Sequence, residues 1–341
     1  MPVIRLLFIP ALLMAADPAM QTALNEYRLG HLNAAESQAT AISRQDPNSS
    51  EAKLLLSLVR AGLGNCESER TRLRLAWKGA GSPELRRLAG LAAVKCDTAL
   101  NQPEAGVPLL GELTMAFPDD PDILYLGAKL YMAAWNRQVA AMYAKTPASY
   151  RVNQLSGEIF ETQNRFTEAA AEYAKAIAKN PEGINLHFRR GRALLLGSHE
   201  TAQLLEARKE FEAELRLNAE DAAAVYQLGQ ICDGLGDGTC ATANFERAAA
   251  LRPDFPEALL GLGKSRMREK RVPEAIELFK RVASLQPTNE TAHYQLMLAY
   301  RSLGRDADAA RHKVILDRLQ RPPEGEFTEF LKKLGDQPVK P

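Results

Sequence analysis

The side chains that most often act in catalysis or metal binding are few in this sequence and far apart. No HExxH segment places two histidines on one helix face for zinc, and no GxSxG segment presents a nucleophilic serine. Because an active site needs acids, bases or nucleophiles that converge, this spread predicts a chain that is not an enzyme and has no cofactor or metal. The five histidines are His31, His187, His199, His293 and His312.

Two glycine-containing segments have a partial likeness to phosphate-binding loops. Gly263-Lys264-Ser265 matches the end of a P-loop, but Ala258 stands where the first glycine of that motif belongs. The glycine-rich stretch 234–238 has no strand pattern before it, so a corner between two helices explains it better than a phosphate cradle. We expect residues 263–265 to lie within a helix and neither segment to bind phosphate.

The cysteines are the remaining residues with reactive side chains. They include no CxxC pair and have no histidine in register, so a zinc site is not indicated. An even number of cysteines in an exported chain favours disulfides, and four free thiols are the other interpretation. Three pairings are possible before the fold is considered. The four residues are Cys66, Cys96, Cys232 and Cys240.

The N-terminus has the composition of a secretory signal. Arg5 precedes the apolar run 6–14, and Ala15 and Ala16 end that run before Asp17. The run is shorter than the roughly 20 residues of a membrane-spanning helix, and no second long apolar segment follows. We therefore expect residues 1–16 to be a signal peptide, with a buried first helix as the alternative. The mature chain is then expected in the periplasm or outside a bacterial cell, without an integral membrane segment.

Composition narrows the classes of partner. The sequence has 43 lysines and arginines against 42 aspartates and glutamates, a net charge of +1. This balance gives no general attraction to nucleic acid, so we expect no nucleic-acid partner. Hydrophobic residues make up 46% and aromatic residues only 6%, which is typical of a folded, helix-rich chain.

A spacing of 34 residues recurs along the chain. Pro147 precedes Pro181 by 34 residues, and Pro253 precedes Pro287 by the same interval. If these prolines are position 32 of a unit, three other positions hold the same residue type in successive units. They are glycine at position 8 (Gly157, Gly191, Gly229, Gly263), alanine at position 20 (Ala169, Ala207, Ala241, Ala275, Ala309) and an aromatic residue at position 24 (Tyr173, Phe211, Phe245, Phe279).

This pattern resembles the tetratricopeptide repeat, in which two antiparallel helices pack through small residues at 8 and 20. The resemblance implies an all-α, right-handed α-solenoid of about nine helical hairpins, with a concave groove lined by the first helices and a C-terminal capping helix. In the irregular fourth unit the residues after Leu130 have no turn signal, so we expect one long helix there or a hairpin with a shortened corner. The predicted divisions are a signal peptide (1–16), N-terminal repeats (17–118), an irregular helical unit (119–147), C-terminal repeats (148–320) and a capping helix with a tail (321–341).

The repeat register also restricts the cysteine pairs. Cys232 and Cys240 take positions 11 and 19 of one unit, on either side of a glycine-rich corner. Cys66 and Cys96 lie at helix corners of neighbouring units, which stack at helix-packing distance. We expect disulfides Cys66–Cys96 and Cys232–Cys240.

In the family, positions 2, 5, 9, 12 and 13 of the first helix face the groove. The acidic residues come early in this set and the basic ones late, which predicts that an extended peptide of opposite polarity binds in one direction. The set also contains tyrosine and arginine, which are frequent interface anchors. Residue by residue, these positions are Gln154, Glu158, Glu161, Asn185, Phe188, Arg192, Tyr226, Gln230, Asp233, Glu257, Lys264, Arg268, Tyr294 and Arg301.

One known subclass of these repeats binds a C-terminal carboxylate through Lys at position 5 and Asn at position 9, and no unit here has that pair. The adjacent Arg189, Arg190 and Arg192 form either a local anion site or ion pairs with a neighbouring helix. The sequence thus predicts a non-catalytic scaffold that binds a protein or peptide partner of the bacterial envelope. The alternative is an accessory subunit of an envelope enzyme or assembly system that acts on polysaccharide or peptidoglycan.

Overall fold

A computed structural model describes residues 18–79, 82–198 and 200–320, and every regular element in these residues is an α-helix. The predicted all-α class is confirmed. The helices form two compact units, one ending at Thr146 and the other beginning at Pro147. The predicted signal peptide and the predicted capping helix lie outside the described residues.

The first unit contains three helical hairpins followed by one long helix. Each hairpin is a pair of consecutive helices that pack against each other. The fourth repeat is a single 25-residue helix, α7, which is one of the two forms expected from the sequence. The helices are α1 (Pro18–Arg28), α2 (Leu32–Gln45), α3 (Ser50–Gly62), α4 (Cys66–Lys78), α5 (Pro83–Ala99), α6 (Pro103–Ala116) and α7 (Pro121–Lys145).

The second unit contains five hairpins. The described residues therefore have eight hairpins and one single helix, where the sequence predicted about nine hairpins. The helices are α8 (Tyr150–Thr162), α9 (Phe166–Lys179), α10 (Leu186–Gly197), α11 (Thr201–Leu217), α12 (Ala222–Gly234), α13 (Gly238–Leu251), α14 (Pro256–Arg268), α15 (Val272–Leu285), α16 (Glu290–Ser302) and α17 (Asp306–Leu319).

Seven of the eight hairpins turn through a three-residue corner whose middle residue has positive φ. This left-handed conformation ends the first helix within one residue, and it favours glycine or asparagine because their side chains clash least there. A lysine takes this place in one corner, with φ of 63° at Lys270. The middle residues are Gly30, Gly64, Asn101, Asn164, Gly236, Lys270 and Gly304.

The core of the second unit explains the repeated glycine and aromatic positions. In each of four hairpins the aromatic ring at position 24 lies directly against the glycine at position 8 of the same hairpin. A Cβ atom added at Gly157 would lie 2.7 Å from the Tyr173 ring, and one at Gly263 would lie 2.3 Å from the Phe279 ring. Both rings are fully buried. The glycines are therefore required for the close approach of the two helices.

First helices of neighbouring hairpins also contact each other. In the first unit α3 packs on α5 and α5 on α7, and in the second unit α12 packs on α14 and α14 on α16. The first helices of these pairs therefore lie side by side within their unit.

The four cysteines form the two disulfides that the repeat register predicts. Cys66 at the start of α4 bonds to Cys96 near the end of α5, with a Cα–Cα distance of 5.1 Å. Cys232 in α12 bonds to Cys240 in α13, with a Cα–Cα distance of 5.7 Å. The first bridge joins two successive hairpins, whereas the second closes the corner of one hairpin.

Candidate functional site

The first of the predicted groove residues form ion pairs across α8 and α10. Arg189 contacts Glu158 at 3.3 Å and Glu161 at 3.8 Å. Arg192 contacts Glu161 at 2.8 Å, and Gln154 donates an amide hydrogen bond to Glu158 at 3.1 Å. Because both carboxylates already have guanidinium partners, the acidic end predicted from the sequence is neutralised within the chain. This corrects the predicted charge gradient of the groove.

Tyr173 lies under this network and is the only tyrosine among the four position-24 aromatics of the described repeats. Its side chain is fully buried between α8 and α9. Burial, reinforced by the nearby Glu161 carboxylate, raises the pKa of Tyr173 to about 12, and Arg189 opposes this shift. The phenol is therefore protonated at physiological pH, and it has a packing role rather than an acid–base one.

A carboxylate that the sequence analysis missed holds the start of α10. Glu214 of α11 is fully buried and accepts hydrogen bonds from the backbone N–H groups of Asn185 at 2.9 Å and Phe188 at 3.2 Å. Asn185 has φ of 67° and its side chain makes no capping bond. Glu214 thus replaces the local cap and stabilises the positive end of the helix. Phe188, predicted in the groove, packs edge-on against Phe211 with ring centroids 5.5 Å apart.

The arginine cluster of α10 pairs with a neighbouring helix, which is the second of the two alternatives that its sequence allowed. Arg190 contacts the carboxylates of Glu206 and Glu210 on α11. Glu210 also contacts His187 at 2.6 Å. These charges are therefore satisfied between α10 and α11.

Three further predicted groove residues, Tyr226, Asp233 and Arg268, have structural partners in the second unit. The Tyr226 ring packs against Phe245 and Phe255, with centroid distances of 5.8 and 5.2 Å. The Arg268 guanidinium forms an ion pair with Asp233 of the preceding first helix. The Tyr226–Phe255 and Arg268–Asp233 contacts join neighbouring hairpins, so they contribute to the stacking of the repeats.

The remaining predicted residues differ because they are exposed and lack such partners among the described residues. Lys264 on α14 and Arg301 on α16 have no carboxylate within salt-bridge distance in the part of the chain that is described. Tyr294 on α16 is 47% exposed, although it is a large aromatic residue. Gln230 on α12 and Glu257 on α14 are exposed as well. We call Gln230, Lys264, Tyr294 and Arg301 the second-unit surface.

The first unit has a groove that the sequence analysis did not identify. This first-unit groove has a volume of about 900 Å³ and is lined by α1, α5 and α7. Its lining includes the almost fully buried Leu91 and Leu126, which form an apolar floor, and the tyrosines Tyr27 and Tyr125. Tyr125 is 66% exposed.

Ion pairs occupy the end of this groove at the start of α5 and α7. Arg28 pairs with Glu84. Arg87 pairs with Asp120 and with Asp122, the latter at 2.6 Å. The Arg87 hydrogen bond lowers the pKa of Asp120 to about 2, so this aspartate stays ionised at physiological pH. Each of the carboxylates at this end of the groove therefore has an arginine partner.

The other end carries two lysines, Lys95 on α5 and Lys129 on α7. They are 34 residues apart and thus take equivalent places on two first helices. Both are exposed, and among the described residues neither has a carboxylate within salt-bridge distance. The Lys129 ammonium lies 5.3 Å from the Tyr125 ring centroid, a cation–π contact. The 34-residue spacing was the signal in the sequence that could have indicated these lysines.

The histidines and carboxylates do not form a metal cluster in the described part of the chain. Within residues 18–79, 82–198 and 200–320, no group of three or more histidine, cysteine, aspartate or glutamate side chains could hold a metal ion. His293 and His312 contact each other through Nδ1 atoms 3.1 Å apart, and His293 Nε2 donates to the Pro287 carbonyl at 2.9 Å.

Gly263-Lys264-Ser265 lies within α14, as expected. None of the described helices has the length and apolar composition needed to cross a membrane.

Family profiles match two segments of the second unit. The profile described as "Tetratricopeptide repeat" matches residues 155–202, which include the glycine and aromatic pair of the α8–α9 hairpin. The chain contains tetratricopeptide repeats. A profile described as "Bacterial transcriptional activator domain" matches residues 193–321, a segment that holds the later hairpins.

Several solved structures are similar to part of the chain. MamA is 19% identical, with a TM-score of 0.44 over 56% of this chain and 98% of its own. YrrB, described as "a TPR protein with an unusual peptide-binding site", is 20% identical, with a TM-score of 0.44 over 57% of this chain and 97% of its own. MamA from Desulfovibrio magneticus RS-1 is 17% identical, with a TM-score of 0.46 over 52% of this chain and 97% of its own.

Proposed function

We propose that this chain is a non-catalytic scaffold that binds a protein or peptide partner on the exposed side of its first helices. The observation that carries the proposal is the contrast between the predicted groove residues on the earlier and the later first helices of the second unit. The predicted residues of α8 and α10 are committed to internal ion pairs and packing, whereas Lys264, Tyr294 and Arg301 stay exposed on adjacent first helices. Exposed aromatic and cationic side chains on a rigid helical surface are the typical anchors of a protein interface.

The proposed location is an oxidising compartment of the bacterial envelope. Two disulfides support it, because such bonds persist in exported proteins and are rare in the reducing cytosol. The proposed signal peptide at residues 1–16 provides the route of export.

The test is affinity capture from solubilised bacterial envelope, with chemical cross-linking and identification of the captured proteins by mass spectrometry. The Lys264→Glu/Arg301→Glu variant is compared with the native chain. The matched control is Lys209→Glu/Arg281→Glu, since both of these cations are exposed on second helices. Arg268 is left unchanged because its pair with Asp233 is structural.

We expect one partner to be lost from the first variant and kept by the control, with equal thermal stability of all three proteins. Capture of the same proteins by all three chains would contradict the proposal that this surface binds the partner. Binding of the purified chain to isolated peptidoglycan or polysaccharide, without any protein, would instead support the accessory-subunit alternative.

A further inference from the structure

We propose that the first-unit groove binds a short peptide segment in which an acidic residue neighbours two or more apolar residues. This inference deepens the proposed scaffold function and rests on it, because it assigns a specific partner chemistry to a second surface. It is carried by the juxtaposition of an apolar floor, an end whose carboxylates are paired with arginines, and two lysines without carboxylate partners among the described residues.

The shape of the groove fits an elongated ligand. About 900 Å³ lie between three helices, and the lining residues follow α5 from Glu84 to Ala99, four turns of helix. The floor residues Leu91, Ala92 and Leu126 offer apolar surface at its centre. Apolar side chains of a peptide would gain stability there by leaving water, at about 25 cal/mol for each Å² buried.

The different charges at the two ends of the groove determine the direction in which the peptide binds. The carboxylates that line the groove, Glu84 and Asp122, are already paired with arginines. Lys95 and Lys129 therefore supply the positive potential that remains unbalanced, and they line the same groove from two helices that pack together. A carboxylate of the ligand that is placed between them would form two charge-assisted hydrogen bonds.

The tyrosines add selectivity for an apolar neighbour of that carboxylate. Tyr125 is highly exposed and its ring already lies 5.3 Å from the Lys129 ammonium. Tyr27 on α1 also lines the groove and is half-buried, and burial raises the pKa of its phenol. Rigid aromatic rings in the lining of an apolar groove provide large contact area at small entropic cost.

A polyanion fits this groove less well than a single carboxylate. Nucleic acid and anionic membranes are bound by runs of cations along a surface, and their affinity falls steeply with salt. Among the described residues that line the groove, only Lys95 and Lys129 are cations without carboxylate partners, which is too few to bind an extended row of phosphates. The groove therefore favours a peptide with one or two acidic residues.

The test uses a random peptide library displayed on phage, selected on the full chain, and synthetic fluorescent copies of the enriched peptides. Fluorescence anisotropy then gives their dissociation constants for the native chain and for Lys95→Ala/Lys129→Ala. We expect enriched sequences with one or two carboxylates beside leucine, isoleucine, valine or phenylalanine. The double variant should bind about tenfold or more weakly, as expected when a charged partner is lost from an interface.

Matched variants separate this groove from the second-unit surface. Lys209→Ala/Lys313→Ala removes two exposed lysines elsewhere and should leave the affinity unchanged. Tyr125→Ala should weaken binding, whereas Tyr294→Ala should not. Circular dichroism melting curves of all variants check that each one is folded.

Four results would overturn the inference. They are failure to enrich any peptide, enrichment of peptides without acidic residues, equal affinity of the native chain and the Lys95→Ala/Lys129→Ala variant, and stronger dependence on Tyr294 than on Tyr125. The last result would leave the proposed scaffold function intact. Loss of the envelope partner from the Lys264→Glu/Arg301→Glu variant tests that function separately.

Discussion

Replacing Gly263 with alanine tests the close approach of helices on which each hairpin depends. The new Cβ would lie 2.3 Å from Cε1 of Phe279 and 2.8 Å from two further ring atoms. Ordinary contact begins at 3.4 Å, so the ring or the helix must move by about 1 Å. Phe279 is fully buried and α14 also packs on two neighbouring first helices, so neither can move freely.

The magnitude follows from two opposing effects. Overpacking a core by one methyl group costs about 1–3 kcal/mol. Replacing glycine with alanine within a helix contributes about 1 kcal/mol in favour of folding. We therefore expect Gly263→Ala to lower the free energy of unfolding of the second unit by up to about 2 kcal/mol.

Urea unfolding followed by far-UV circular dichroism measures this change. Gly111 in α6 provides the matched control, because it is also within a helix and no atom lies within 4 Å of a Cβ added there. Gly111→Ala should stabilise its unit by about 0.5–1 kcal/mol. If both variants are stabilised alike, the ring of Phe279 is displaced without cost, and the packing explanation of position 8 is refuted.

Three other perturbations have defined outcomes. Replacing Cys66 and Cys96 with serine should lower the free energy of unfolding by about 1 kcal/mol more than replacing Cys232 and Cys240, because the Cys66–Cys96 bridge closes the longer loop. Equal losses in urea unfolding would contradict this explanation. Burial and the adjacent His293 hold the pKa of His312 below 6.5. The unfolded chain therefore binds more protons than the folded chain at acidic pH, and the free energy of unfolding should fall as the pH drops below about 6.5. His312→Gln should reduce that loss in melting curves taken from pH 7 to pH 5, and an unchanged pH dependence would exclude this histidine as its source. Glu214→Gln should destabilise the second unit by about 1–3 kcal/mol, since the start of α10 loses its charged acceptor; an unchanged melting temperature would show that water replaces it.

The helices and the contacts within hairpins were predictable from the sequence because they repeat. Glycine at position 8 and an aromatic residue at position 24 recur at 34-residue intervals, and the structure places Gly229 against Phe245 just as it places Gly191 against Phe211. The two cysteine pairs followed from the same register. In each case the position of a residue within the repeat predicted both the helix to which it belongs and the residue that it contacts.

The details of the surface were less predictable, because they depend on side chains that meet only after the helices have stacked. Glu158 reaches Arg189 of the next hairpin, 31 positions later, and no pattern within either helix indicates that pair. Glu214 caps α10 from another helix, where a local cap is the usual solution. The first-unit groove was missed because the repeat register is weaker before residue 118, which left Lys95 and Lys129 without assigned positions.

The Cys66–Cys96 disulfide has a consequence for how a row of repeats comes apart. In arrays whose repeats contact mainly their neighbours, hairpins at an end open locally while the rest stays folded. A covalent bond within one hairpin does not prevent this, but a bond between α4 and α5 joins two successive hairpins. The second and third hairpins must therefore open as one block in the oxidised protein, and amide protons of α3 to α6 should exchange with solvent as a group.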